Sequence, residues 1–390
     1  MTLPPPTTPM RIAFLTTLVP NTLRTGSEIA TRAILSVLED LGHEVTLFAY
    51  GRAPFHVASP VETVLLATIP VESATAPRRE QAAWAWRSLR SGLPISSEKY
   101  NYLPPDRLEA EIARTNPDLL IVDHVNLYPF VNGLARRLPL GVIFHDVQAI
   151  SYAMVAEKSA RPWWRAIYAR EARLNARLER RAGAEARFSL FLSEADAEEA
   201  RTRFGIAAPA VLPLFFPAPP DPAPALAPAY DIGLIGTWSW PPVRQGIAWF
   251  LYEVVPRLPP DLSIAVAGSG SETLSSDRIQ RLGLVPSARA FLASLRVSAV
   301  PTTAGTGVQI KTLELAATGT PAVSTPLGVR GLDGLPETIT VADGPQAFAD
   351  ALVEAVRRPK PRAAAAGHAW NEARRDAARQ TLHDALTKLG

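Results

Sequence analysis

Cysteine is absent from this 390-residue chain, which excludes disulfides and thiolate metal sites. The six histidines show no metal-ligand spacing. No stretch approaches the roughly 18–20 consecutive apolar residues that a membrane-spanning helix needs. A G-x-G-x-x-G fingerprint is missing, which weighs against a nicotinamide enzyme, and no D-x-D pair suited to a divalent cation stands out. Charge of one sign is scarce too: a net +3 at pH 7 is too mild to indicate nucleic acid as a partner. Residues 1–10 carry no positive charge and the apolar run at 12–19 is short and threonine-rich, so no secretory signal is expected. The expectation is a cytoplasmic protein.

What is present is core material, with 47% apolar and 20% charged residues, enough for about two domains. The 37 prolines gather in the tail at 2–9, at element ends and in the run FFPAPPDPAPALAP at 215–228. That run is too dense in proline for a helix or a central strand and reads as a semi-stiff linker. It sets a domain boundary near residue 220.

Both sides of the boundary repeat one grammar. A buried strand at 11–17 is followed by a loop at 20–27, an amphipathic helix at 28–41 and a strand at 44–49. Ile29, Ala33, Ile34, Val37, Leu38 and Leu41 share one face of that helix. Strands at 61–69, 118–123, 140–145 and 188–192 and helices at 78–90, 108–115, 128–138 and 162–182 complete the first half. The second half reads as strands at 230–236, 262–267, 297–300 and 335–342 with helices at 244–258, 276–282, 345–357 and 363–389. Such alternation predicts α/β domains with parallel, doubly wound sheets.

The stretch at 301–332, PTTAGTGVQIKTLELAATGTPAVSTPLGVRGL, organises the second half. It reads as a loop with Gly305 and Gly307 free to take positive φ, a mostly buried helix from 308 to 317, a stop at Gly319 and a short strand. A glycine loop opening a helix is a ready anion site, because first-turn N–H groups are unpaired and sit at the positive end of the dipole. Lys311 adds a full positive charge and Glu314 offers an acceptor for sugar hydroxyls. Together they suit a nucleotide diphosphate with its ribose, although such units and solvated first-turn charges are common in α/β proteins.

His145 and Asp146 fall just past the end of a strand, where open α/β sheets place ligand-binding groups. His145 is suited to bonding a sugar hydroxyl. Asp146 is open to two roles, general base for an acceptor hydroxyl or cap of the next element. His124, after Asp123, is a weaker candidate of the same kind. The helix at 162–182, PWWRAIYAREARLNARLERRA, carries a tryptophan pair and a face of arginines. That combination suits the surface of an anionic membrane and equally an ordinary core-facing helix with a solvated side.

The 301–332 stretch resembles the donor-nucleotide motif of GT-B glycosyltransferases, above all the retaining family 4 group. That family has a glycine loop before a K…E-A-x-A-x-G-x-P-V-V run. It is matched here by Gly305, Gly307, Lys311, Glu314, Ala316, Ala317, Gly319, Pro321 and Val323. The opening segment 11–51 is similar to the family's first strand, glycine loop and L…L…G-H-E-V pair, and 235–258 resembles its v-G-s-x-x-w-x-P-N…w-F…P-x-L segment. His145 followed by Asp146, Glu179 to Arg181, and Ser193 to Asp196 also match. The likeness covers most of the chain and is weakest over 52–107.

The resemblance implies two Rossmann-like domains facing a cleft: an acceptor-side domain at 1–220, a donor domain at 221–365, and a C-terminal helix at 366–390 packing back on the first. It places Gly26 beside the cleft, and Gly236 and Thr237 against the phosphates. Arg244 would be a second cation, and Gly305, Thr306, Gly307, Val308, Lys311 and Glu314 would hold the donor. The turn with Gly268 and Gly270 matches V-x-G-x-G, and the backbone near 284–286 would meet the base. His145, Asp146 and Lys311 are the implied catalytic residues. No metal and no cofactor is expected; a UDP- or GDP-sugar is the co-substrate and a glycan or lipid-linked molecule the acceptor, at the inner membrane face. One departure stands out. The family's first glutamate of E-x7-E is Thr306 here, and only the second, Glu314, is present. This leaves the stereochemical outcome open and admits two other readings, a non-catalytic partner subunit and a nucleotide-sugar epimerase of the same fold.

Overall fold

The computed structural model describes residues 9–21, 25–52, 61–70, 76–217, 228–238, 241–358 and 362–389. The tail and most of the linker at 215–228 lie outside the described residues, as do residues 359–361 between the helices expected at 345–357 and 363–389. The chain forms two compact units, residues 1–217 with 375–390, and residues 218–374.

The first unit holds a parallel sheet of β1 (Arg11–Thr16), β2 (Glu44–Gly51), β3 (Glu62–Thr68), β4 (Leu119–Asp123), β5 (Leu140–Phe144), β6 (Phe188–Phe191) and β7 (Ala210–Val211), in the order β3-β2-β1-β4-β5-β6-β7. Every residue of β4 and β5 is buried. Such unbroken apolar runs are what strands need when helices cover both faces of a sheet. Phe144 and Phe191 stack at 4.5 Å between neighbouring strands and anchor this core.

The second unit holds β8 (Tyr230–Ile235), β9 (Ile264–Ala267), β10 (Gln280–Gly283), β11 (Leu295–Val300), β12 (Ala322–Ser324) and β13 (Ile339–Val341), parallel and ordered β10-β9-β8-β11-β12-β13. In each sheet the strand order reverses once, between β1 and β4 and between β8 and β11. Loops leaving the carboxyl ends of strands diverge at such a point and open a crevice for ligands.

Several elements differ from expectation. The helix expected at 128–138 is two 3-10 turns, Val125–Phe130 and Leu134–Arg136, because Pro129 lies inside the first and Gly133 precedes the second. The helix expected at 276–282 is replaced by edge strand β10. The 244–258 helix starts at Pro241, and past Trp249 it widens into a π turn, Phe250–Val254, and a 3-10 turn. Helices Gln148–Lys158 and Glu194–Phe204 were not anticipated. Gly26 is the first residue of helix Gly26–Asp40 rather than a loop residue, and Thr25 and Glu28 close a capping box around it.

Candidate active site

In the first unit the polar residues gather at the order reversal. Thr16 ends β1 and Asp123 ends β4, and the two are direct partners in the ladder. Asp123 is wholly buried and fully engaged. Thr16 Oγ1 and Thr31 Oγ1 donate to its Oδ2 at 2.9 and 2.5 Å, while His145 Nε2 lies 2.5 Å from Oδ1. Burial would raise this carboxyl, but the positive charge of His145, its hydrogen bond and the Thr31 hydroxyl hold it below the usual carboxylate range. His145 follows β5 and stacks on His124 with ring centroids 3.7 Å apart and planes at 22°. Burial, then the charge of His145, pushes His124 down to about 3. His124 sits at φ 110°, a strained backbone for a residue with a side chain.

Asp123, His124 and His145 bring their ligand atoms within 4.8 Å of one another, a grouping the histidine spacing did not announce. Nearly parallel stacked rings direct their in-plane lone pairs side by side rather than onto one point, and Oδ1 is already bonded to His145. The arrangement is therefore an Asp–His pair with a second imidazole packed on it. With Oδ2 taken by two hydroxyls, Oδ1 is left for the His145 Nε2 proton, which turns the other ring nitrogen, Nδ1, away from the carboxylate.

Asp146 is directed elsewhere. Burial and nearby Asp196 push its carboxyl up to about 6, and the side chains of Gln148 and Ser151 bond it. Glu179 of helix Pro162–Glu185 is driven to about 8 by burial and by Asp146, and its Oε1 accepts from the Ala149 N–H at 3.4 Å. Asp146, half-buried, thus belongs with buried Glu179 and Asp196 to a carboxyl cluster at the start of helix Gln148–Lys158.

In the second unit the loop after β8 and the loop after β11 flank the corresponding reversal. Gly305 and Gly307 take φ 111° and 77°, a backbone that glycine adopts without strain. The helix itself spans Ile310–Ala317 with Gln309 at its N-cap, so Val308 and the glycine turn precede the first helical turn instead of forming it. Thr325 Oγ1 bonds Thr302 O at 2.5 Å and Thr312 Oγ1 bonds Gly328 O at 2.6 Å, fixing loop and helix. Lys311 and Glu314 line a cavity with Ile235, Ser298 and Val300. Burial lowers Lys311 to about 8, and burial raises Glu314 to about 7 although Lys311 opposes the rise. The Lys311 ammonium lies 5.3 Å over the Trp238 ring, whose Nε1 donates to Ala267 O at 2.7 Å.

Gly236 adjoins this pair: a β-carbon there would lie 2.7 Å from Lys311 Nζ. Thr237 and Arg244 are exposed, and Thr306 is half-buried on the loop. Of the residues singled out from sequence, Gly236, Lys311 and Glu314 meet, with the 305–308 turn leading into their helix. His145 stands instead with Asp123, Thr16 and Thr31, which sequence did not bring forward.

The paired parallel sheets, each with polar residues at its order reversal, define a two-domain protein of the GT-B class. The chain belongs to the GT-B glycosyltransferases: residues 24–215 match the model of Glycosyltransferase Family 4 and residues 229–358 that of Glycosyl transferases group 1. By sequence, no curated protein matches. Among solved structures, sucrose-phosphate synthase from Thermosynechococcus elongatus superposes with a TM-score of 0.63 at 16% identity, covering 97% of each chain. Anabaena HepE in complex with UDP and glucose gives 0.61 at 14% identity over 97% of this chain and 99% of its own. WaaG, a glycosyltransferase involved in lipopolysaccharide biosynthesis, gives 0.58 at 14% over 96% and 99%. At such identities the likeness is one of fold. Among the described residues no helix is long and apolar enough to cross a membrane.

Proposed function

We propose that this glycosyltransferase moves a hexosyl group from a UDP- or GDP-sugar to a glycan or lipid-linked acceptor in cell-surface polysaccharide synthesis. The observation that carries the reading is the Lys311–Glu314 pair, enclosed beside Gly236 and entered through the 305–308 turn. Cleavage of a sugar–diphosphate bond builds negative charge on the departing phosphate, and preorganised donors lower that barrier. The turn and Lys311 supply them, with Arg244 and Thr237 at the rim, and Glu314 accepts from the ribose hydroxyls. The reading needs no metal, and it favours retention of configuration with the phosphate taking the acceptor proton. In the first unit His145, oriented by Asp123, bonds a sugar hydroxyl. HepE, which shares the fold, has been crystallised with UDP and with UDP-glucose, which supports a nucleotide-sugar donor here.

Helix Pro162–Glu185 supports work at the inner membrane face. Trp163 and Trp164 are exposed, two of its three acidic residues, Glu171 and Glu179, are buried, and the third, Glu185, is exposed but paired with Arg181, so the outer side is mainly basic and aromatic. Thr306 favours one rival, a non-catalytic partner subunit. Thermal shift against UDP-, GDP- and TDP-sugars tests the donor, because a ligand that binds only the folded state stabilises it by mass action. Lys311→Ala and Glu314→Ala should each lose most of that stabilisation. Full stabilisation in both variants overturns the assignment, and slow donor hydrolysis by the native chain excludes the non-catalytic reading.

A further inference from the structure

Trp238 falls at an unspecified position of the v-G-s-x-x-w-x-P-N pattern, so the resemblance gives it no role. In the fold it is buried and tied twice to the chain leaving β9. Its backbone N–H donates to Ser269 O at 2.8 Å and its Nε1 to Ala267 O at 2.7 Å. Two bonds to one segment fix both the main chain and the plane of the ring. The indole also packs in the apolar core of the second unit. Core packing accounts for a tryptophan here, but not for a cation over its face. The Lys311 ammonium stands 5.3 Å from the ring centroid, within the range in which the negative π face attracts a cation.

Gly236 makes the room. A β-carbon there would lie 2.7 Å from Lys311 Nζ and 3.1 Å from Trp238 Cζ2, so the ammonium occupies a slot between bare glycine backbone and indole. The opposite charge acting on Lys311 is that of Glu314, one turn along, on which Arg289 acts in turn. Burial raises Glu314 to about 7, so this carboxyl is only partly ionised near neutral pH. Burial alone would discharge an amine in such a place. A full carboxylate partner would keep it charged but cancel the charge that a phosphate needs. An indole face favours the charged form without cancelling it.

We propose that Trp238 is a positioning residue for the transfer reaction, holding the Lys311 ammonium in the slot beside Gly236 to meet the donor diphosphate. The inference rests on the donor-site reading, and all of its residues lie in the second unit. With five lysines in the chain, NMR of the lysine side-chain nitrogens follows each ammonium through its titration, and Lys311→Arg identifies the Lys311 signal. That signal should titrate near pH 8 in the native chain and about one pH unit lower in Trp238→Leu, the effect of losing a desolvated cation–π contact. Trp238→Phe, which keeps a π face, should restore most of the difference. Tetrafluorotryptophan placed at 238 keeps shape, burial and the indole N–H but strips negative charge from the ring face. It should reproduce the effect of Trp238→Leu, and it serves even where leucine impairs folding. UDP-glucose and GDP-glucose, whose diphosphates stay ionised throughout, are titrated on the same samples near pH 8. The affinity of whichever binds should fall about tenfold in Trp238→Leu and in the fluorinated chain. A merely structural tryptophan would lower the melting temperature of Trp238→Leu and leave the fluorinated chain unchanged. An unmoved Lys311 titration in the fluorinated chain, or a sugar-nucleotide affinity that fluorination leaves intact, overturns the proposal while the donor reading stands. Failure of the native chain to bind either sugar nucleotide strikes the donor reading instead.

Discussion

Asp123 Oδ2 accepts two threonine hydroxyls, so Oδ1 alone is available to orient His145. Asp123→Asn keeps the shape but replaces one oxygen by a donor, which must face either the hydroxyls or the imidazole proton. Misoriented imidazoles typically lose a large part of a positioned group's effect, on the order of 10²-fold. Turnover should fall by about that factor while donor affinity, a property of the second unit, is retained. Steady-state rates and donor titration check this, and a loss of less than about threefold would sink the positioning role. At Gly236, an added methyl would meet the end of the Lys311 side chain rather than backbone. Gly236→Ala should therefore fold normally yet displace the ammonium from Trp238, raising the donor dissociation constant about tenfold in a titration. Most of the second-unit site was readable because the glycine turn, Lys311 and Glu314 lie within ten positions of each other and are unusual together, whereas Gly236, distant in sequence, was reached only through the resemblance of 235–258. Asp123 was not, since Thr16, Thr31 and His145 are 107, 92 and 22 residues away along the chain. Its one local signal was an aspartate closing the otherwise apolar run LLIVD.

Among the elements, helices Gln148–Lys158 and Pro162–Glu185 pack on each other, with buried Glu179 and half-buried Asp146 where the first begins. A carboxyl raised from 4.5 to about 8 keeps its proton in the fold while the unfolded chain has released it. The folded state then binds more protons between those values, so stability falls as pH rises through them. Asp146, raised to about 6, adds to the fall over the lower part of the window. Glu179→Gln keeps an oxygen for the Ala149 N–H and cannot ionise. Melting curves should show the native chain losing stability from pH 6 to pH 8.5 and the variant holding ~5 °C more of it at the upper end; parallel pH profiles would refute the assignment. Gly246 presents a separate constraint, because a β-carbon there would lie 2.1 Å from Pro301 O. Gly246→Ala should destabilise the second unit by about 2–4 kcal/mol, as backbone cannot yield as a side chain does, and urea melts measure it. Central strands were legible in the sequence because burial on both faces demands unbroken apolar runs. Strand β10 was not: QRLG is a short edge strand with Gln280 and Arg281 exposed, so no period marks it. Helix Glu194–Phe204, whose mean hydropathy is low, left little but its Ser193 cap to show where it starts.

On the scale of the whole molecule, one helix carries residues of both units. In Ala364–Thr387, Trp370 Nε1 donates to Asp333 O at 2.9 Å and Arg374 to Gly331 O at 2.8 Å, both within the second unit. From Arg375 onward the partners belong to the first: Arg375 meets Asp40 at 2.6 Å and Thr381 Oγ1 bonds Val211 O at 3.2 Å. Ala378, Leu382 and Leu386 are buried there. The Arg375–Asp40 pair is half exposed and contributes little, so the apolar residues are what hold this end in place. Leu382→Ala removes a side chain with no exposed area, and such a change costs about 2–5 kcal/mol. The loss should fall on the first unit. Hydrogen exchange should quicken over 375–389 and at β7, while the 310–317 helix keeps its protection and nucleotide-sugar stabilisation persists. The complementary variant, Lys311→Ala, should abolish that stabilisation without changing exchange at 375–389. If Leu382→Ala instead quickens exchange across 310–317 to the same degree, the two units unfold as one and the division of the helix between them has no energetic meaning.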